Sequence, residues 1–290
     1  MKINRHDILN VEFIENQPIS QITTYKTAGN VKGVFYPKTE RELITAYQVL
    51  KEENIPFLVV GNGSNLLISP SAKIFAISIK KLEQIYSFDH EYVKFSASIP
   101  LSKAYSLCRQ KSLSGFENLA GIPATIGGAI KNNASAFGKS IFDIVDKIKI
   151  YDGKIKEIDK NSVNWGTHHT NLNDILILSA TFKLQNKSQC KITQDFLECQ
   201  QQRILKQPKG FSCGSVFKNP PNLSAGKLIE DCGLKGTTQG GAIISSKHAN
   251  FIINQNSATF DDVETLITLC QTSVQEKFNI TLTPEVEILE

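Results

Sequence analysis

Residues 59–69 read VVGNGSNLLIS, a β-branched run that breaks into a glycine loop and resumes as an apolar run. Upstream, VKGVFYP (31–37) has the composition of a strand. TERELITAYQVLKEEN (39–54) has helical periodicity and opens with Thr39 and Glu42 in capping-box spacing, and PFLVVG (56–61) returns as a buried strand. The unit is therefore β-α-β and ends in GNGSN (61–65). Beyond the glycines, LLISPSAKIFAIS (66–78) is strand-like and contains a proline, so no helix opens there. A Rossmann dinucleotide fingerprint needs that helix and is disfavoured.

Short strands continue through YVKFSAS (92–98), then a helix near LSKAYSLCRQKS (101–112). Small residues dominate the next segment, LAGIPATIGGAIKNNASAFG (119–138). IVDKIKIYDGKIKEI (144–158) alternates around Asp152-Gly153, a hairpin signal, and DILILSATFKL (174–184) reads as a buried strand. From Cys190 the pattern changes to a polar helix (192–207), a short helix near 224–233 and an amphipathic helix (260–278) with Val263, Leu266, Ile267, Cys270 and Val274 on one stripe. The expected organisation is α+β in two domains, 1–187 with a further split near residue 80, and 188–290.

Composition narrows the function. The chain has 290 residues, 41% hydrophobic and 21% charged, which is ordinary globular composition. Its net charge of +4 comes from dispersed residues, so no nucleic-acid footprint is present. The polar start MKINRHDILNVEFIENQ lacks the apolar run of a secretory leader, and no window supplies the ~20 apolar residues of a membrane span. A soluble, cytoplasmic, monomeric protein without membrane insertion is expected. Six cysteines never form C-x-x-C, so reduced, mostly buried thiols and no metal centre are expected.

Two glycine-rich segments, 61–65 and 121–138, lie in the same half of the chain. Successive N–H groups in turns form anion-binding nests, and positions without Cβ let a pyrophosphate approach. Ser64 and Thr125 add hydroxyls. Either loop alone is more readily a tight turn; together they favour a dinucleotide. Bulk at Gly63 or Gly127 is expected to block such a ligand without unfolding the chain.

WGTHHT (165–170) carries the only tryptophan and two of five histidines. Metal ligands, a catalytic imidazole and a polar turn are all open there. A zinc site on His168 and His169 lacks a nearby second pair of ligands.

VVGNGSNLLIS, LAGIPATIGGAIKNNASAFG, GSVFKNP (214–220), AGKLIEDCGLKG (225–236), GGAIISSKHANFIIN (240–254) and LTPEVEIL (282–289) resemble, in order and spacing, the UDP-N-acetylenolpyruvoylglucosamine reductase (MurB) family in its shorter subclass. The resemblance spans nearly the whole chain. It implies a MurB/vanillyl-alcohol-oxidase-like flavin fold, in which a two-part region holds non-covalent FAD and a smaller α+β domain binds the UDP-sugar. NADPH would be the hydride donor, and the setting peptidoglycan precursor synthesis.

By that resemblance Gly61, Asn62, Gly63, Ser64, Asn65, Leu66, Gly121, Ile122, Thr125, Gly127 and Gly128 surround FAD. Ser215 would donate a proton to C2 of the enolpyruvyl group and Glu285 would polarise the same intermediate, while Arg203, Lys218 and Asn219 contact the UDP-sugar. Without the resemblance, Ser215 reads as a turn residue and Lys218 as a surface lysine. TPEVEIL read as a strand puts Glu285 and Glu287 on one face, with Glu287 solvated.

The family pattern places an aromatic, a tyrosine, an arginine and a serine where this chain has Trp165, Thr167, His168 and Thr170. His168 thus stands at a catalytic arginine's position, where an imidazole offers fewer donors and is charged only toward acid pH. On a strand-like segment His168 and His169 would point to opposite sides. A relative that binds flavin and a nucleotide sugar or a partner but has lost the reaction is the alternative.

Overall fold

The computed structural model describes residues 11–290. The first ten residues, and with them most of the polar start, lie outside the described residues. Helices and strands are mixed, and the chain falls into two compact units, neither of them a continuous stretch of sequence.

One unit takes in the first strand up to Ile14, Val34–Asn62 and Phe75–Arg203. Its first sheet has the strand order Glu12–Glu15, Gly33–Tyr36, Phe75–Ser78, Phe57–Val60, the last two parallel. Helix Glu40–Glu52 makes the crossover and buries Leu43, Ala46, Tyr47 and Leu50. Its cap is as expected at Thr39, whose hydroxyl accepts from Glu42 N–H at 3.2 Å. The returning arm differs: Glu42 accepts from Lys38 N–H at 2.7 Å rather than from the cap itself.

The second sheet of this unit is antiparallel throughout, in the order Ile155–Asp159, Val145–Tyr151, Leu176–Lys183, Tyr92–Ser96, Tyr86–Asp89. The hairpin turns at Asp152-Gly153, with Gly153 at φ +98°. Phe95, Phe116 and Phe182 pack mutually in its core, with ring centroids 5.1–6.0 Å apart. A helix that propensity gave no reason to expect, Ile126–Lys131, packs on this sheet.

The other unit takes in Glu15–Gly33, Gly63–Ile74 and Ile204–Glu290. Three short antiparallel strands, Thr238–Gln239, Ala242–Ile244 and Ile252–Asn254, carry helices Ala225–Asp231 and Phe260–Phe278. The expected stripe of the last helix is buried in full. Strand Leu66–Ile68 runs parallel to Glu287–Leu289.

Sequence order alone puts the boundary at 187/188, whereas the compact grouping changes near 203 and draws two N-terminal segments into the second core. The cause is burial. Tyr25 is wholly inaccessible and donates to Ile252 O at 2.9 Å, Asn254 Nδ2 donates to the carbonyls of Tyr25 and Lys26, and Leu67 is also at 0% exposure.

All six cysteines are free thiols; Cys108, Cys199, Cys213 and Cys270 are buried, and burial pushes Cys270 up to about 12. Among the described residues no helix is long and apolar enough to cross a membrane.

Candidate active site

In the first unit several of the candidate site residues gather on one small-residue segment. Thr125 caps helix Ile126–Lys131, and its hydroxyl accepts from Gly128 N–H at 3.4 Å. The helix start is stitched to the end of strand Tyr92–Ser96 by Ile126 N–H to Ile99 O and Gly127 N–H to Ala97 O. A Cβ on Gly127 would lie 2.9 Å from that of Ala97, so the close approach requires glycine. Gly61 meets the same segment: its Cβ would fall 2.4 Å from Thr125 Oγ1, while Asn62 Nδ2 donates to Pro123 O at 3.1 Å. Around Gly128 there is room, only Thr125 Oγ1 lying 3.6 Å from a Cβ built there.

Arg203 reaches this segment from helix Gln189–Lys206. Its guanidinium sits over the Phe137 ring at 5.3 Å, and its Nε lies 2.5 Å from where a Cβ on Gly121 would be. Burial lowers its pKa, leaving it a cation in partly desolvated surroundings. Phe137 is a neighbour that sequence did not single out.

WGTHHT is a tight hairpin: Trp165 pairs with Thr170 and Gly166 with His169, leaving Thr167 and His168 as the turn. The alternation expected for His168 and His169 gives way to this turn. His168 has φ +51° and is half-buried, and His169 opens the return strand and is exposed. The hairpin is docked on the small-residue segment. Thr170 Oγ1 donates to Lys131 O at 2.6 Å and Asn133 Nδ2 to Gly166 O at 2.7 Å; Trp165 stacks on Phe142 at 5.4 Å. His168 Nε2 and Ser135 Oγ are 3.3 Å apart. Asn133 and Ser135 were visible only as part of NNAS, with nothing local to mark them. Among the described residues no three His, Cys, Asp or Glu side chains are grouped as metal ligands.

The second unit carries its own set. Gly63 stands at φ +63°, and a Cβ there would fall 2.1 Å from Ile22 O. Bulk at Gly63, like bulk at Gly127, therefore collides with the protein itself before any ligand, which corrects the expectation that the fold would be spared. Among the described residues nothing accepts from the N–H groups of Asn62, Gly63 or Ser64. Such donors in a turn suit a diphosphate.

Ser215 and Glu285 come from distant parts of the chain and adjoin. Glu285 N–H donates to Val216 O at 2.7 Å, and Lys218 N–H to Thr283 O at 2.9 Å. Asn65 braces the same place, its Nδ2 donating to Glu285 O at 3.1 Å and its carbonyl accepting from Glu287 N–H at 3.0 Å. Asn65 and Leu66 thus have structural duties here, as does Asn219, whose Oδ1 accepts from Ala225 N–H at 3.0 Å. The strand expected through TPEVEIL starts only at Glu287, after a bend at Val286, so the shared-face argument for Glu285 and Glu287 does not apply.

Two family models match successive stretches of the chain. An FAD binding domain model matches residues 31–158, and the model for the C-terminal domain of UDP-N-acetylenolpyruvoylglucosamine reductase matches 206–289. The UDP-N-acetylenolpyruvoylglucosamine reductase of Caldicellulosiruptor bescii is 36% identical over 96% of this chain and 91% of its own length. That of Clostridioides difficile is 35% identical over 99% and 97%. The crystal structure of the Thermus caldophilus enzyme aligns with a TM-score of 0.81 at 30% identity, covering 97% of this chain and 99% of the other. This chain belongs to the UDP-N-acetylenolpyruvoylglucosamine reductase family.

Proposed function

We propose that this chain reduces the enolpyruvyl group of UDP-N-acetylglucosamine-enolpyruvate to the lactyl ether of UDP-N-acetylmuramate, for peptidoglycan synthesis. The observation that carries the proposal is near full-length relatedness to reductases of that name. The bond from Glu285 N–H to Val216 O, next in chain to Ser215, supports it within the molecule.

When bound, FAD would supply the hydride chemistry between NADPH and C3 of the enolpyruvyl group. The chain's own residues do the rest. Gly61, Asn62, Gly63, Ser64 and Asn65, followed by Leu66, would offer backbone donors to the cofactor's diphosphate, and Gly121, Ile122, Thr125, Gly127 and Gly128 would let it approach a second small-residue segment. Ser215 gives its hydroxyl proton to C2 as negative charge develops there, completing addition of hydride and proton across the double bond. Glu285 polarises the developing charge, and Arg203, Lys218 and Asn219 hold the UDP-sugar, the guanidinium as a planar donor to phosphate. His168 stands in for the family's arginine as the donor facing the substrate carboxylate, held by Ser135. No observation favours a chain that has lost the reaction. We place it in the cytoplasm, where nucleotide sugars are made, as a monomer.

The test is product analysis. Purified protein should release intact FAD on acid precipitation. With NADPH in D2O it should convert the enolpyruvyl substrate to a lactyl product bearing solvent deuterium at C2. Protein that retains no FAD and forms no such product overturns the proposal.

A further inference from the structure

The Ser215 segment has partners on a second side, away from Glu285, to which proton donation itself gives no role. Val216 N–H donates to Asn250 O at 2.9 Å. The Asn250 side chain then pairs with Phe217 as a neighbouring strand would: Oδ1 accepts from Phe217 N–H at 2.9 Å and Nδ2 donates to Phe217 O at 2.8 Å. A carboxamide carries an acceptor and a donor in one plane at that spacing without needing a proton from solvent. Asn250 is 4% exposed, so water cannot replace these bonds.

Asn250 is itself seated. Its N–H donates to His248 Nδ1 at 3.2 Å, and His248 N–H donates to Ser245 Oγ at 3.3 Å. The imidazole packs edge-on against Phe251, centroids 5.0 Å apart, with Cε1 3.0 Å from where a Cβ on Gly226 would lie. Burial, with the Lys235 charge, lowers the His248 pKa and favours the neutral ring that an accepting Nδ1 requires. Two residues beyond Ser215 are thus clamped between Asn250 on one side and the 283–286 segment on the other.

We infer that Asn250, seated by His248, is the positioning residue for Ser215, fixing the backbone from which the proton-donating hydroxyl projects. The inference rests on the reading of Ser215 as the proton donor. Misplacement of a reacting group by an ångström slows reaction by about 10²-fold, so the side chain matters to rate more than to binding.

The test uses FAD-loaded Asn250→Leu and Asn250→Asp in anaerobic stopped-flow, each alone and combined with Ser215→Ala. Flavin reduction by NADPH should stay within about twofold of the parent, and substrate affinity, read from flavin spectral perturbation, within about threefold. Reoxidation by the enolpyruvyl substrate should slow by ~10- to 100-fold. In the Ser215→Ala background the same substitutions should add less than about twofold, because they act through a hydroxyl already gone. Should the Asn250 variants fail to fold, His248→Phe removes the acceptor for the Asn250 N–H and should slow reoxidation alone. His248→Asn, whose Oδ1 falls near the place of Nδ1, should restore it. Equal slowing of both half-reactions, or full multiplication with Ser215→Ala, overturns the positioning role. A Ser215→Ala enzyme that reoxidises at the parental rate instead overturns the proton-donor reading, and this inference with it.

Discussion

The segment around Ser215 and the hairpin around His168 are built on opposite plans. Val216 and Phe217 are 1% exposed, and their backbone groups are held on both sides, by the 283–286 segment and by the backbone and carboxamide of Asn250. The hairpin is docked through side chains, by bonds from Thr170, Asn133 and Ser135 and by the stacking of Trp165 on Phe142, and Trp165 is still 41% exposed. Loss of the Asn250 carboxamide would strand the buried N–H and C=O of Phe217, whereas a change in a half-exposed turn leaves its polar groups open to water.

The largest effect should come from a glycine whose Cβ has nowhere to go. Gly63→Val combines a positive φ with collision against Ile22 O. It should give no soluble FAD-loaded protein, checked by expression and absorbance at the flavin bands. Gly128→Ala is the contrast: thermal unfolding of the apoprotein should hold or rise slightly, since alanine favours a helix. FAD affinity should nevertheless fall at least ~10-fold, about 1.4 kcal/mol, measured by titration.

Next in size, Ser215→Ala should slow reoxidation by the enolpyruvyl substrate at least ~10², the scale of a lost positioned acid. Flavin reduction by NADPH should be nearly unchanged. Equal damage to both would place Ser215 in the flavin site or the fold rather than at C2.

At the hairpin the effect is smaller. A guanidinium offers more donors to a carboxylate than an imidazole does, so His168→Arg should raise the rate of reoxidation by the enolpyruvyl substrate, His168→Ala should lower it, and His169→Ala should do little. An unchanged rate in His168→Arg would remove His168 from the chemistry.

The smallest effect is on stability. His248 has a folded pKa lowered by burial and by Lys235, so the unfolded chain binds that proton more readily. Its contribution is complete above the unfolded value near 6.5 and is lost as pH falls through the folded one. Unfolding temperature should therefore drop between pH 7 and pH 5, and less steeply in His248→Asn. Identical slopes would show that His248 does not set the trend.

Much of this fold was legible. The β-α-β unit, the Asp152-Gly153 hairpin and the buried stripe of Phe260–Phe278 follow from local chemistry and periodicity. Helix Ile126–Lys131 was not, because Gly127 and Gly128 oppose helix propensity; it is held by tertiary contacts with Ala97 and Ile99. The placing of Tyr25 and Leu67 in the second core depends on partners far along the chain. At the candidate site, motif resemblance singled out Ser215 and Glu285, whereas Asn250 shows itself only through bonds across the fold. Period-two reasoning failed where the chain bends at Val286 and where it turns at His168.

The central claim is that one chain passes hydride from NADPH through its flavin to the enolpyruvyl ether. Anaerobic stopped-flow tests it in two mixings. NADPH should bleach the flavin absorbance, and enolpyruvyl-UDP-N-acetylglucosamine added without oxygen should restore it in step with lactyl product. Flavin that NADPH reduces but the enolpyruvyl substrate leaves bleached would contradict the account.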